Sequence, residues 1–150
     1  VYGGEDLAEL LRSRQVTHAF VTPAALASVD PAGLDTLAMV VVGGEACPPD
    51  LVARWAPGRR FFNGYGPTET TIMTNISHAL QPGEQVTIGR AIRGMTAHVL
   101  DERLNPVPAG VVGGAVSRRP RPRPRLPSTR RADRRAVRRR SRRHPPVPDR

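Results

Sequence analysis

An α/β fold, a parallel sheet with flanking helices followed by a β-rich portion, is the class this sequence predicts. Three observations predict it. Met39-Val40-Val41-Val42 is a short apolar run that ends at once in Gly43-Gly44-Glu45-Ala46, the pattern of a buried parallel strand handing over to a tight loop. Phe61-Phe62 followed by Asn63-Gly64-Tyr65-Gly66-Pro67-Thr68-Glu69 repeats the pattern. The stretches between such runs carry helical signals, so the order reads βαβα.

Taken in order, Leu7, Leu10 and Leu11 have helical spacing, with Glu5, Asp6 and Glu9 early and Arg12 and Arg14 late, the polarity a helix dipole favours. Ala19-Phe20-Val21 predicts a strand, and Thr22-Pro23 an N-cap with proline in the first helical turn. Val40 to Val42 is the next strand, and Pro49-Asp50 opens a helix that runs to Trp55. Strands are expected at Phe61-Phe62, at Thr71 to Ile76 and at Ala97 to Leu100, the last turning at Asn105-Pro106 into a hairpin arm at Val111-Val112.

Ligands of open α/β sheets gather outside the carboxyl ends of the strands. Two glycine loops at one edge can therefore form one pocket. Tyr65 offers a ring face for a purine, although an aromatic at such a place can also be a core or turn residue. Gly64 and Gly66 let a ligand approach the backbone, and Pro67 holds the turn. Thr68 supplies a hydroxyl suited to phosphate, and Glu69 a carboxylate suited to a hard divalent cation, against the alternative of an ordinary solvated charge. His18, His78, His98 and His144 have no metal-ligand spacing.

With both loops in hand, the chain resembles the middle of an adenylation domain of a nonribosomal peptide synthetase, in the acyl-adenylate-forming (AMP-binding) superfamily. The resemblance takes in Val16-Thr17-His18, Thr22 to Leu26, Val42 to Pro48, the seven-residue loop with Thr70-Thr71-Ile72, Ile88 to Ile92, and Val99 to Pro108. Such a series in order is far more specific than a lone glycine motif. The resemblance implies that Gly43, Gly44, Glu45 and Ala46 line the nucleotide base and that Asn63 approaches the adenine amino edge. It also implies that Tyr65 stacks on adenine, with Gly64, Gly66 and Thr68 completing the ATP site and Glu69 reaching Mg²⁺. Phe20, Val41, Gly43, Gly64, Ile72 and Met73 match positions that read the side chain of an amino acid or related carboxylic acid.

The implied reaction has two steps. The substrate carboxylate attacks the α-phosphate of ATP, and the acyl group then passes to the phosphopantetheine thiol of a carrier protein, one of several partner domains in a full-length synthetase. An acyl-CoA or aryl-acid ligase of the same superfamily is the alternative, which Gly-Gly-Glu-Ala-Cys-Pro and Leu-Asp-Glu-Arg-Leu-Asn-Pro-Val-Pro match less closely. Several family parts are missing. The superfamily's charge-donating lysine has no counterpart, because all 23 basic residues are arginine, and an arginine elsewhere does not replace a placed lysine. The upstream phosphate loop, the aspartate for the substrate amino group and the downstream ribose aspartate are also absent. The expectation is an internal fragment, opening mid-pattern at Val1, that does not turn over alone and has no catalytic residue of its own.

Charge divides the chain. Residues 1–117 hold 8 Arg against 11 Asp and Glu, a net of −3, and residues 118–150 hold 15 Arg against 2 Asp, a net of +13, together the +10 of the whole. The boundary is expected at residue 113: 1–113 a partial adenylation domain, 114–150 an Arg/Pro-rich tail too poor in apolar residues to order itself. Clustered arginine suits nucleic acid or another polyanion, which makes a noncatalytic binding protein the rival from another class; yet no aromatic residue follows Tyr65. A solvated proline-rich spacer is a second reading of the tail. The third is translation out of frame, since GC-only codons give Pro, Arg, Ala and Gly, and the resemblance ends where composition changes. The single Cys47 excludes an internal disulfide framework, no run of 18 apolar residues suggests a membrane span, and no leader pattern opens the chain. A cytoplasmic location without membrane partners is the expectation.

Overall fold

Val40 and Val42, completely buried, mark the middle strand of the sheet's parallel part. The computed structural model describes residues 3–70 and 72–118. Helix α1 (Gly4–Ser13) leads into β1 (His18–Val21), α2 (Pro23–Ala27), β2 (Met39–Gly43), α3 (Pro49–Trp55) and β3 (Arg60–Tyr65). A 3₁₀ turn at Thr68–Thr70 and the short strands β4 (Asn75–Ile76) and β5 (Arg90–Ala91) follow, then the hairpin of β6 (Thr96–Leu100) and β7 (Gly114–Arg118). The five-stranded sheet has the order β1-β2-β3-β4-β5. Its first three strands are parallel, and β4 and β5 are added antiparallel.

Register assigns the two faces. Ala19, Val40 and Phe61 align across β1, β2 and β3, as do Val21, Val42 and Asn63. These residues face the helices. Leu7, Ala8 and Leu11 of α1, Leu26 of α2, and Leu51, Val52 and Trp55 of α3 pack on them with Leu34, Leu37 and Leu80. Each fully buried side chain of this kind contributes about 1.5–3 kcal/mol. The opposite face carries Phe20, Val41, Phe62 and the glycines Gly43 and Gly64.

The expected caps form: Pro23 opens α2, and the Thr22 hydroxyl accepts from the Ala25 N–H at 3.2 Å. On the outer side of α1, Arg12 pairs with Glu9 at 2.8 Å and Glu5 at 3.4 Å, an exposed cluster that solvent largely screens. The Arg59 guanidinium lies 5.1 Å from the centre of the buried Trp55 ring.

Two expected elements differ. The strand expected over Thr71 to Ile76 shrinks to Asn75–Ile76; Thr71 lies outside the described residues. Ile72 has a φ of 70°, the left-handed region, which a β-branched residue in a strand does not occupy. The hairpin arm expected at Val111-Val112 is instead Gly114–Arg118, paired with β6 from Thr96↔Arg118 to Leu100↔Gly114. Backbone pairing thus runs past residue 113, the boundary expected from composition. The expected disorder and nucleic-acid affinity of the remaining tail fall outside the described residues. Among those described, no helix is long and apolar enough to cross a membrane.

A turn after β6 is held by one carboxylate: Asp101 accepts from the N–H groups of Asn105 at 2.8 Å and Arg103 at 2.9 Å. The Asn105 backbone donor, then the Asn105 side-chain amide and the Arg103 N–H, hold this carboxyl below its ordinary 3.8. A depressed carboxylate stabilises the fold above its ordinary pKa and loses that contribution as pH falls through the folded value. The Arg103 and Asn105 amide resonances should therefore titrate with a midpoint below 3.8; a midpoint above that value in an NMR titration contradicts the turn. Gly89 has a φ of 67°, and an added Cβ would overlap the Ile76 carbonyl. Gly89→Ala should cost about 2 kcal/mol or more in urea unfolding, as strained backbone and overpacking do; a loss under 0.5 kcal/mol on that scale would show that the contact yields.

Candidate functional site

Because β2 and β3 are parallel neighbours with Gly43 opposite Gly64, the loops leaving them emerge at one sheet edge. Between the loops is a cavity of about 480 Å³. Gly44, Glu45 and Ala46 line one side, Asn63, Gly64, Tyr65, Gly66 and Pro67 the other, and Ile88 completes the wall. Seven of the nine residues expected at an ATP site thus share one cavity. Gly43 and Thr68 do not line it; they adjoin it through Gly44 and Pro67. Gly44 takes a φ of 91°, a conformation open to glycine at little cost.

Tyr65 is 40% exposed, so its ring is not a core aromatic. Its backbone is fixed from behind: the Tyr65 carbonyl accepts from the Thr74 N–H at 2.8 Å and the Thr74 hydroxyl at 3.2 Å, and Thr74 is completely buried. Gly66 makes this closure possible. A Cβ there would stand 2.6 Å from the Met73 Cα, 2.7 Å from the Ile72 oxygen and 2.8 Å from the Thr74 nitrogen, all backbone atoms that cannot swing away.

Asn63 is buried. Its backbone N–H donates to the Ser77 hydroxyl at 2.9 Å, and its side-chain Nδ2 donates to the Thr87 carbonyl at 3.0 Å. The amide is thereby oriented, and Oδ1 receives no hydrogen bond from the described residues. Asn63 is thus a cavity-lining residue with a free acceptor. The segment Thr87-Ile88-Gly89 is joined to the site by the same hydrogen bond. Sequence reasoning gave Ile88 no role; the only signal was its position beside Gly89 in a segment already noted for its resemblance.

Glu45 lines the cavity, yet its carboxylate is engaged elsewhere, accepting from the Ala24 N–H at 3.2 Å in the first turn of α2. Thr68 and Glu69 lie exposed on the 3₁₀ turn. The Glu69 carboxylate has no hydrogen bond or ion pair among the described residues, and no cluster of three His, Cys, Asp or Glu side chains suited to a metal occurs among them.

The six residues expected to read a substrate side chain fall largely together. Phe20, Val41, Gly43 and Gly64 share the outer sheet face, and Met73 reaches it, its sulfur 3.0 Å from where a Gly64 Cβ would be. Phe20 is 54% exposed and Ile72 69%, so neither is plain core. Ile72 stands on the strained turn beside Met73.

The AMP-binding enzyme family profile matches residues 3–121. A probable non-canonical nonribosomal peptide synthetase, CymA, of Salinispora arenicola is 49% identical over 110 residues, which are 73% of this chain and 1% of that protein. Novobiocin biosynthesis protein H of Streptomyces niveus is 44% identical over 110 residues, 73% of this chain and 18% of that one. Among solved structures, PA1221, a nonribosomal peptide synthetase protein containing adenylation and PCP domains, superposes with a TM-score of 0.70 at 26% identity, over 79% of this chain and 26% of that one. A benzoate CoA ligase from Burkholderia xenovorans shares the fold, with a TM-score of 0.68 at 22% identity, over 79% of this chain and 26% of that one. The chain spans less than a fifth of the length of these curated relatives. With a profile match that spans residues 3–121, the chain belongs to the AMP-binding enzyme family.

Proposed function

We propose that this chain is a fragment of an amino-acid-activating adenylation domain, contributing part of the pocket in which an aminoacyl-adenylate is formed from ATP for nonribosomal peptide synthesis. The observation that carries the reading is the cavity where the Gly44–Ala46 and Asn63–Pro67 segments converge. Its residues fit an adenine nucleotide. The Tyr65 ring is exposed at the rim to stack on a base, Ile88 offers an apolar surface in the same cavity, and the Asn63 Oδ1 is a fixed acceptor suited to an exocyclic amino group. Gly44 keeps the backbone accessible at the mouth, with nothing closer than 4.0 Å to where its Cβ would be.

Thr68 and Glu69 follow on the phosphate side of this arrangement. Glu69 is one carboxylate without a partner among the described residues, which suits Mg²⁺ shared with phosphate oxygens and water rather than an all-protein cage. Bound there, Mg²⁺ would supply charge neutralisation to a phosphoryl transfer. The chain's own contribution is positioning: it holds the base, aims the phosphates along Thr68 and Glu69, and sets the acyl substrate beside Gly64. A carrier protein bearing phosphopantetheine is the acceptor of the second step, together with other synthetase domains. With no lysine in the sequence, the chain by itself lacks the cationic donor the first step needs.

The 150-residue chain should accordingly bind AMP in isothermal titration while giving no pyrophosphate exchange. Tyr65→Ala should weaken AMP by about tenfold, within the range of base–aromatic stacking; equal affinity for both proteins rejects the cavity as a base site. Glu69→Gln should remove most of the Mg²⁺ enhancement of ATP binding and leave AMP binding alone, and an undiminished enhancement would place the cation elsewhere.

A further inference from the structure

Resting on that reading of the cavity, we propose that Glu45 is a positioning residue, whose carboxylate ties the Gly44–Ala46 wall to Ala24 and so keeps that wall in the shape that receives the nucleotide. The resemblance implies a Glu45 that lines the base. Its carboxylate is engaged with the Ala24 N–H instead.

The two walls of the cavity are held very differently. On the Asn63–Pro67 side, the Asn63 N–H donates to the Ser77 hydroxyl and the Asn63 carbonyl accepts from the Ser77 N–H, both at 2.9 Å. The Tyr65 carbonyl takes its two bonds from Thr74, and the Pro67 carbonyl accepts from the Thr70 N–H at 3.0 Å and the Thr70 hydroxyl at 2.8 Å. The facing wall lacks such support. Beyond the pairing of Gly43 with Gly64, the one hydrogen bond that Gly44, Glu45 and Ala46 make among the described residues is the 3.2 Å bond from the Ala24 N–H to Glu45 Oε2.

All three residues are exposed, while Gly43 before them and Cys47 after them are buried. A span anchored at its ends and free in its middle samples several backbone conformations, the more so with a glycine in it, and a ligand that needs one of them binds more weakly in proportion to its population. The Glu45–Ala24 bond selects one. Its donor is itself well placed: Pro23, buried, fixes φ just before Ala24, the Thr22 hydroxyl accepts from the Ala25 N–H just after it, and Leu26 is completely buried. The methyl of Thr22 also stands 4.0 Å from where a Gly44 Cβ would be. The helix-side core thus reaches the loop through Ala24.

The test is calorimetric titration of the 150-residue chain with AMP, as wild type, Glu45→Ala and Glu45→Gln, together with hydrogen exchange at the Ala24 amide and urea unfolding. Glu45→Ala should weaken AMP about three- to tenfold, the scale of one lost hydrogen bond, and speed Ala24 exchange at an unchanged urea midpoint. Glu45→Gln keeps an oxygen that accepts from Ala24 and drops the charge, so it should bind within about twofold of the wild type and keep Ala24 protected. Equal losses in both variants would make the charge, not the bond, the cause and overturn the positioning role. A lowered midpoint in Glu45→Ala would make Glu45 a stability residue, which overturns it too. If Glu45→Ala binds AMP as the wild type does, or leaves Ala24 exchange unchanged, the positioning role is wrong and the nucleotide cavity stands. If AMP fails to bind the wild type, both fall.

Discussion

Parallel pairing of Met39–Gly43 with Arg60–Tyr65, in the register that sets Gly43 beside Gly64, is the constraint from which the rest of the site follows. It places Val40, Val42 and Phe61 on the helix side and leaves the other side to Phe20, Val41 and Phe62. A slip of one residue would exchange those faces, expose the valines and part the two glycine loops. The core therefore protects the site indirectly: burying Leu26, Leu51, Val52 and Trp55 against the inner face holds the only register in which both loops border one cavity.

The second constraint is the return of the chain from Gly66 to Thr74. The Tyr65 carbonyl takes two hydrogen bonds from Thr74, and the backbone of residues 72–74 lies against Gly66 with no room for a Cβ. Ile72 is carried into the left-handed region as part of this closure, at a cost of order 1–3 kcal/mol. The Thr74 bonds and the burial of Thr74 offset that cost. What results is an aromatic ring left in solvent on a backbone that cannot shift.

Much of this was legible in the sequence because the signals were local. A β-branched run ending in paired glycines can be read within a few residues, and so can Thr22-Pro23 as a helix start. Phe20, Val41, Gly43 and Gly64, named together by resemblance, lie on one face of the sheet, which their spacing alone does not show. Harder to read were features decided by distant partners. Ile88 enters the cavity because Asn63 reaches the Thr87 carbonyl 24 residues away, and Glu45 turns from the cavity because Ala24 presents an N–H to it. The false strand over Thr71 to Ile76 had β-branched residues in its favour; packing of Gly66 against the returning backbone overrode them. The hairpin arm was misplaced because Val111-Val112 looks more strand-like than Gly114-Ala115, whereas the Asp101 turn and the β6 register select the later segment.

The β6–β7 hairpin differs from the sheet in what surrounds it. Val99, Val112 and Val116 are exposed, and a two-stranded ribbon with wet faces has little burial to resist local opening. Solvent deuterium should consequently invade this chain in two tiers, entering the ribbon amides long before those of Val40 and Val42. A protease nick in the ribbon would leave the Gly44–Ala46 and Asn63–Pro67 loops on their own part of the sheet.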